Sequence, residues 1–172
     1  VADQFREHPS KTSRLVNGTL IPLTSALEAN ETVWFVLPTA DGDEQVWEGL
    51  LAYRPSDIDR AEVRAIPLFA YDLNYGDEVA VISSDEGALV ATDVVTDNGR
   101  YTFRVWLEDG DASVMRELVR EFGEMGCSIE PYSDRLLGLG CERSAAQAVA
   151  DALSAGEKAG RFVYETGRQQ TR

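Results

Sequence analysis

IPLFAYDLNYGDEVAVI, residues 66–82, is the stretch on which the fold turns. Pro67 fixes φ and has no amide donor, so an extended run that reaches Ile66 must turn or stop there. Leu68, Phe69, Tyr71, Leu73 and Tyr75 are too apolar for a solvated loop, and Ala70 leaves room for close packing. Gly76-Asp77 supplies a tight turn, because Gly accepts positive φ and the Asp carboxylate accepts from nearby amides. A strand with Val79, Val81 and, as an option, Ile82 on its core side follows at once. The pattern predicts a buried crossover that plugs and closes a small β-barrel.

Upstream, Val33, Phe35 and Leu37 alternate with Trp34 and Val36 in a strand ended by Pro38. Asp41-Gly42-Asp43 makes a turn into Gln45–Tyr53, with Trp47, Leu51 and Tyr53 on one side and Val46, Leu50 and Ala52 on the other. Ala61–Ile66 is a third strand; Glu78–Ser83 and Ala88–Thr96 complete about five short strands at the regular spacing of a small barrel. Ahead of the barrel, residues 1–27 read as a flexible tail and docking segment. The tail proper is broken by Pro9, and a short hairpin is an option around Asn17-Gly18.

Downstream, Asp97-Asn98-Gly99 is the strongest hairpin signal in the chain and is expected to couple the last barrel strand to Tyr101–Leu107. Residues 100–166 then follow a ferredoxin-like βαββαβ order. Val114, Met115, Leu118, Val119, Phe122 and Met125 recur at helical spacing behind a cap at Asp111 or Ser113. Cys127–Tyr132 and Leu136–Cys141 form a hairpin about Ser133-Asp134. Ser144 with Gln147 resembles a capping box opening a helix with Val149 and Leu153 inward. The expected class is therefore α+β: a small N-terminal β-barrel (28–99) joined by a hairpin to a ferredoxin-like domain (100–166), with 167–172 a tail.

The order VWF, VWEGLLAYR, IPLFAYDLNYGDEVAV, ATDVVTDNGRYTFRVWL, from Val33 to Leu107, resembles the bacterial domain-of-unknown-function family forty-two sixty-five. The segment Ile66 to Val79 is its most specific part, and the resemblance spans roughly residues 31–166 but leaves the N-terminal segment outside. It implies the same fold and brings no catalytic residue with it.

Charge is unevenly placed. Sixteen acids against Arg54, Arg60 and Arg64 give residues 28–99 a net −13, whereas residues 100–172 carry twelve acids and ten bases, net −2. An acidic barrel repels phosphate backbones, which argues against nucleic acid, and favours a basic protein partner if it binds one. The plainer alternative is a solvated, solubilising surface. No apolar run approaches the roughly 20 residues needed to span a bilayer and no signal peptide is visible, so a cytoplasmic protein with no membrane partner is expected.

No catalytic constellation stands out. His8, the single histidine, falls in the tail and reads as an exposed bystander. Cys127 and Cys141 face each other across the predicted hairpin as buried, reduced thiols, and two cysteines without a His are a poor metal site. No phosphate loop or nucleophile elbow is present, and no cofactor is expected. Binding is therefore favoured over catalysis. The candidate partner-binding residues are Arg104, Trp106, Tyr132 and Leu136 on the sheet face turned away from the helices, and Asp57, Asp59 and Glu62 on the acidic barrel. An inhibitor or immunity-type role is the sharpest form of this expectation. That sheet face is equally suited to packing on the barrel or on a second copy, so a homodimer is open. The alternative is a small-molecule sensor with an aromatic pocket of Trp34, Trp47, Tyr71 and Tyr75 between the two domains.

Overall fold

A computed structural model describes residues 3–39, 44–56 and 58–169. In chain order the elements are β1 (Gln4–Glu7), β2 (Ser13–Val16), β3 (Thr19–Pro22), α1 (Thr24–Leu27), β4 (Glu31–Leu37), β5 (Val46–Tyr53), β6 (Arg60–Val63), β7 (Glu78–Ser83), β8 (Leu89–Thr96), β9 (Tyr101–Trp106), α2 (Ala112–Glu124), β10 (Ser128–Pro131), β11 (Leu136–Cys141), α3 (Arg143–Lys158) and β12 (Val163–Thr166). The protein is mixed α+β, a closed five-stranded barrel beside a second sheet.

The barrel is a meander. β4, β5, β6, β7 and β8 pair antiparallel in succession, and β8 returns to β4 through Val33↔Leu89 and Trp34↔Val90. An odd number of alternating strands leaves the first and last running the same way, so the closing ladder is parallel. Val33, Leu50, Ala52, Val63, Val79 and Val81 fill the interior. Ala70 and Leu73 of the crossover join this core, as the sequence pattern predicts for a plug.

The second sheet has the strand order β12-β9-β11-β10-β2-β3. One of its faces is covered by α2 and α3, which bury Met115, Leu118 and Phe122, and Val149 and Leu153, at the expected helical spacing. Asp111 caps α2 by accepting from the Ser113 and Val114 amides. The expected capping box on the second helix does not form: Glu142 is the N-cap residue, and Gln147 donates instead to Asp151, one turn on.

Two expectations are corrected. Within residues 1–27, the described part is ordered, because β1 adds in parallel to β5 while β2 and β3 extend the second sheet. Asn17 and Gly18, at φ 49° and 76°, make the two-residue turn between them, which favours exactly such residues at positive φ on both central positions. The Asp97-Asn98-Gly99 turn is not a hairpin either, since β8 lies in the barrel and β9 in the second sheet. Asn98 is tied instead to the crossover, donating from its amide to the Tyr75 carbonyl at 2.7 Å and from its backbone to Asp77 at 2.9 Å. The tripeptide specifies a local bend; strand partners elsewhere decide which sheet each arm joins.

The β10–β11 register (Ile129↔Leu139, Pro131↔Leu137) is the expected one, and Cys127 and Cys141 are buried and free. A hydrogen bond to Cys141, together with burial, pushes the Cys127 thiol above its ordinary range. Denaturing alkylation followed by intact-mass analysis is expected to label both thiols in protein from freshly lysed cells; a quantitative intramolecular disulfide would contradict this.

Candidate binding cleft

The crossover between β6 and β7 has no sheet partner over residues 66–74, so its backbone polar groups need other ones. Three buried ionisable side chains, Glu48, Glu130 and Arg104, supply partners, and a fourth, His8, ties the two glutamates together. Glu48 sits at an inward position of β5, between Val46 and Leu50, and is fully buried. Its carboxylate accepts from the amides of Leu68 at 2.6 Å, Phe69 at 3.2 Å and Ala70 at 2.7 Å. Glu130, equally buried on β10, accepts from the Ile66 amide at 2.8 Å and from the Thr12 hydroxyl.

His8 bridges the two. Its Nε2 lies 2.9 Å from Glu48 Oε1, and its Nδ1 meets Glu130 Oε1. Two carboxylates on opposite ring nitrogens require both nitrogens to donate, so the ring is an imidazolium. Burial lowers the His8 pKa, but hydrogen bonds and charge from Glu130 and Glu48 outweigh it and raise the value to about 9. The exposed-bystander expectation for His8 is overturned: its side chain is 3% exposed. Because the carboxylates bind opposite ring edges, this trio does not converge on a metal ion.

Arg104 does for the crossover carbonyls what the glutamates do for its amides. It donates to Pro67 O at 3.3 Å and to Ala70 O, and reaches Glu165 at 2.9 Å. Ile66 and Leu68 lie against Gly138 and Gly140, and a Cβ on Gly138 would come within 2.7 Å of Leu68. The glycines of β11 are thus what lets the crossover sit down on the sheet.

This clamp aims Phe69 and Tyr71 into a cleft of about 1240 Å³ between the barrel mouth, at Leu37 and Val46, and β12, at Tyr164 and Glu165. Arg6 lies over the Phe69 ring at 4.4 Å, and Tyr71 donates to Glu165 at 3.0 Å beneath the Arg104 guanidinium. The lining mixes aromatic rings with Arg6, Arg104, Arg168, Glu44, Glu157 and Glu165, so its charges balance.

The residues singled out from sequence are dispersed. Arg104 and Leu136 are buried at 3% and 8% exposure, so they are not on an open face: the crossover covers it. Tyr132 packs edge-on against His8 and Phe69. Trp106, 44% exposed, stands at the end of that face opposite Val163. Asp59 is exposed, Glu62 pairs with Arg64, and Asp57 lies outside the described residues. Of the four pocket aromatics only Tyr71 lines the cleft. Trp34 and Trp47 lie on the outer face of the barrel, since Trp34 is opposite Gly49 and Trp47 opposite Val36 across the β4–β5 ladder. Tyr75 is buried with its hydroxyl 2.5 Å from Ser25. The functional residues that sequence reasoning missed, His8, Glu48 and Glu130, left one signal, an acid in the inward register of a barrel strand.

Fold and cleft together define a class, an α+β barrel-and-sheet protein whose preformed cleft lies between the two sheets. More particularly, the chain belongs to the family described as a domain of unknown function, DUF4265, which matches residues 48–164. The crystal structure of a hypothetical protein from Neisseria gonorrhoeae is similar over 83% of this chain and 96% of that one, with a TM-score of 0.68 and 18% identity, a likeness of fold. No curated protein matches the chain. Among the described residues, no helix is long and apolar enough to cross a membrane.

Proposed function

We propose that the protein acts by binding and not by catalysis, and that the cleft receives a small molecule. The observation that carries this is the cleft of about 1240 Å³ whose floor, Phe69 and Tyr71, is held by the buried side chains of Glu48 and Arg104 bonded to the backbone around it. Ligand sites are commonly preformed hollows of about 300–1,000 Å³ with apolar walls and a few placed polar groups, often at domain interfaces, and this cleft is somewhat larger than that range. Residues 100–166 serve as a ferredoxin-like half; the order β12-β9-β11-β10 in their sheet supports that assignment. We further place the protein in the bacterial cytoplasm, on the strength of its free buried thiols and its preference for Arg over Lys.

Native mass spectrometry of the protein after incubation with a bacterial metabolite extract tests the reading. A discrete small-molecule adduct is expected, lost on Tyr71→Ala and kept on Trp47→Ala, because Trp47 faces away from the cleft. Absence of any adduct, or one that survives Tyr71→Ala, would contradict it.

A further inference from the structure

Independently of the cleft, we infer that the outer face of the barrel docks a cationic amphipathic segment of a protein partner. The ladders make the patch continuous. Phe5 is opposite Trp47 across β1–β5, and Trp47 opposite Val36 across β5–β4. Trp34 is opposite Val90 across β4–β8, and Val90 opposite Ile82 across β8–β7. Directly opposed residues share a face, so these six side chains form one band around the outside of four neighbouring barrel strands and β1. Phe5 closes on Trp34 edge-to-face at 5.2 Å, over Gly49, where a Cβ would come within 2.8 Å of the Trp34 ring.

The band is open to solvent: Phe5 is 61%, Ile82 57% and Val36 54% exposed. Single exposed apolar residues need no explanation, but a contiguous aromatic and β-branched patch rimmed by polar residues marks an interaction surface. The rim says what kind. Glu7 follows Phe5 on the same face of β1, and Asp93, opposite Ala80, stands beyond Ile82; both are exposed. Of the three barrel cations, Arg60 pairs with Glu78 and Arg64 with Glu62, while Arg54 donates to the Ile58 carbonyl. With sixteen acids against these three bases, net −13, the field around the band is that of the acids. Such a field repels nucleic acid and anionic lipid headgroups and attracts a segment with basic residues flanking apolar ones.

The probe is a synthetic Lys/Leu amphipathic helical peptide, compared by intrinsic tryptophan fluorescence titration with a scrambled peptide of equal composition and with phosphatidylglycerol vesicles. The amphipathic peptide is expected to bind and to shift the emission of Trp34 and Trp47, with affinity falling as salt rises. Val36→Thr with Ile82→Thr, which keeps β-branched residues on the strands, is expected to weaken binding by about tenfold, since buried anchors carry most interface energy. Glu7→Gln with Asp93→Asn should slow association more than it speeds dissociation. Thermal midpoints and the cleft adduct of the first double variant should match those of the parent protein. Equal binding of the scrambled peptide, preference for the vesicles, or indifference to Val36→Thr with Ile82→Thr would overturn the inference.

Discussion

Glu48→Ala is expected to lower the unfolding free energy by about 3–5 kcal/mol, the cost of breaking a buried ion pair by removing one partner. The substitution strands three amides, at Leu68, Phe69 and Ala70, and leaves the His8 imidazolium with only Glu130 opposite it. Buried donors without acceptors cost about 1–3 kcal/mol each when water cannot reach them. A chain of this size is held by roughly 5–15 kcal/mol, so the variant should be marginally folded at room temperature. Glu48→Gln restores one acceptor and is expected to fall between the two. Urea unfolding of the three proteins checks this; a loss under about 1 kcal/mol for Glu48→Ala would mean that water satisfies the crossover instead.

The second large effect is with pH. The His8 pKa rises from 6.5 unfolded to about 9 folded. A raised folded value means that the folded state holds the proton more tightly, so the contribution is fully present below pH 6.5. It is lost as pH rises through 9, where the neutral ring turns a lone pair toward one of the carboxylates. At 1.36 kcal/mol per pKa unit, the loss is about 3 kcal/mol across that window. His8 is the chain's only histidine, and His8→Asn provides the reference for subtracting the cysteines' contribution. The difference in unfolding free energy between parent and His8→Asn should shrink from pH 6.5 to pH 9.5; a difference that stays constant would mean that the ring is neutral in the fold.

Where function rests on local periodicity, the chain announces its structure. Leu118 and Phe122 on one helix face, Val33 and Val81 in the barrel, and the β10–β11 register are all readable from spacing alone. So is the crossover, whose Pro67 and apolar run allow no ordinary loop. The clamp is not readable in this way, because its partners are remote: His8 meets Glu48 and Glu130 across 40 and 122 residues. Arg104 and Glu130 alternate with apolar neighbours as exposed strand residues do, and only the crossover lying over them makes them interior. Trp34 and Trp47 mislead for the opposite reason, since large aromatics suggest a pocket but here line the outside of a barrel already filled by Leu50, Ala52 and Val63.

That buried charges hold the crossover as firmly as a strand is tested most directly by amide hydrogen exchange at Leu68, Phe69 and Ala70. The account predicts that these three amides, outside any ladder, exchange only with opening free energies close to that of global unfolding, as amides of β5 and β9 do. Exchange at the rate of an open loop, while β5 and β9 stay protected, would contradict it.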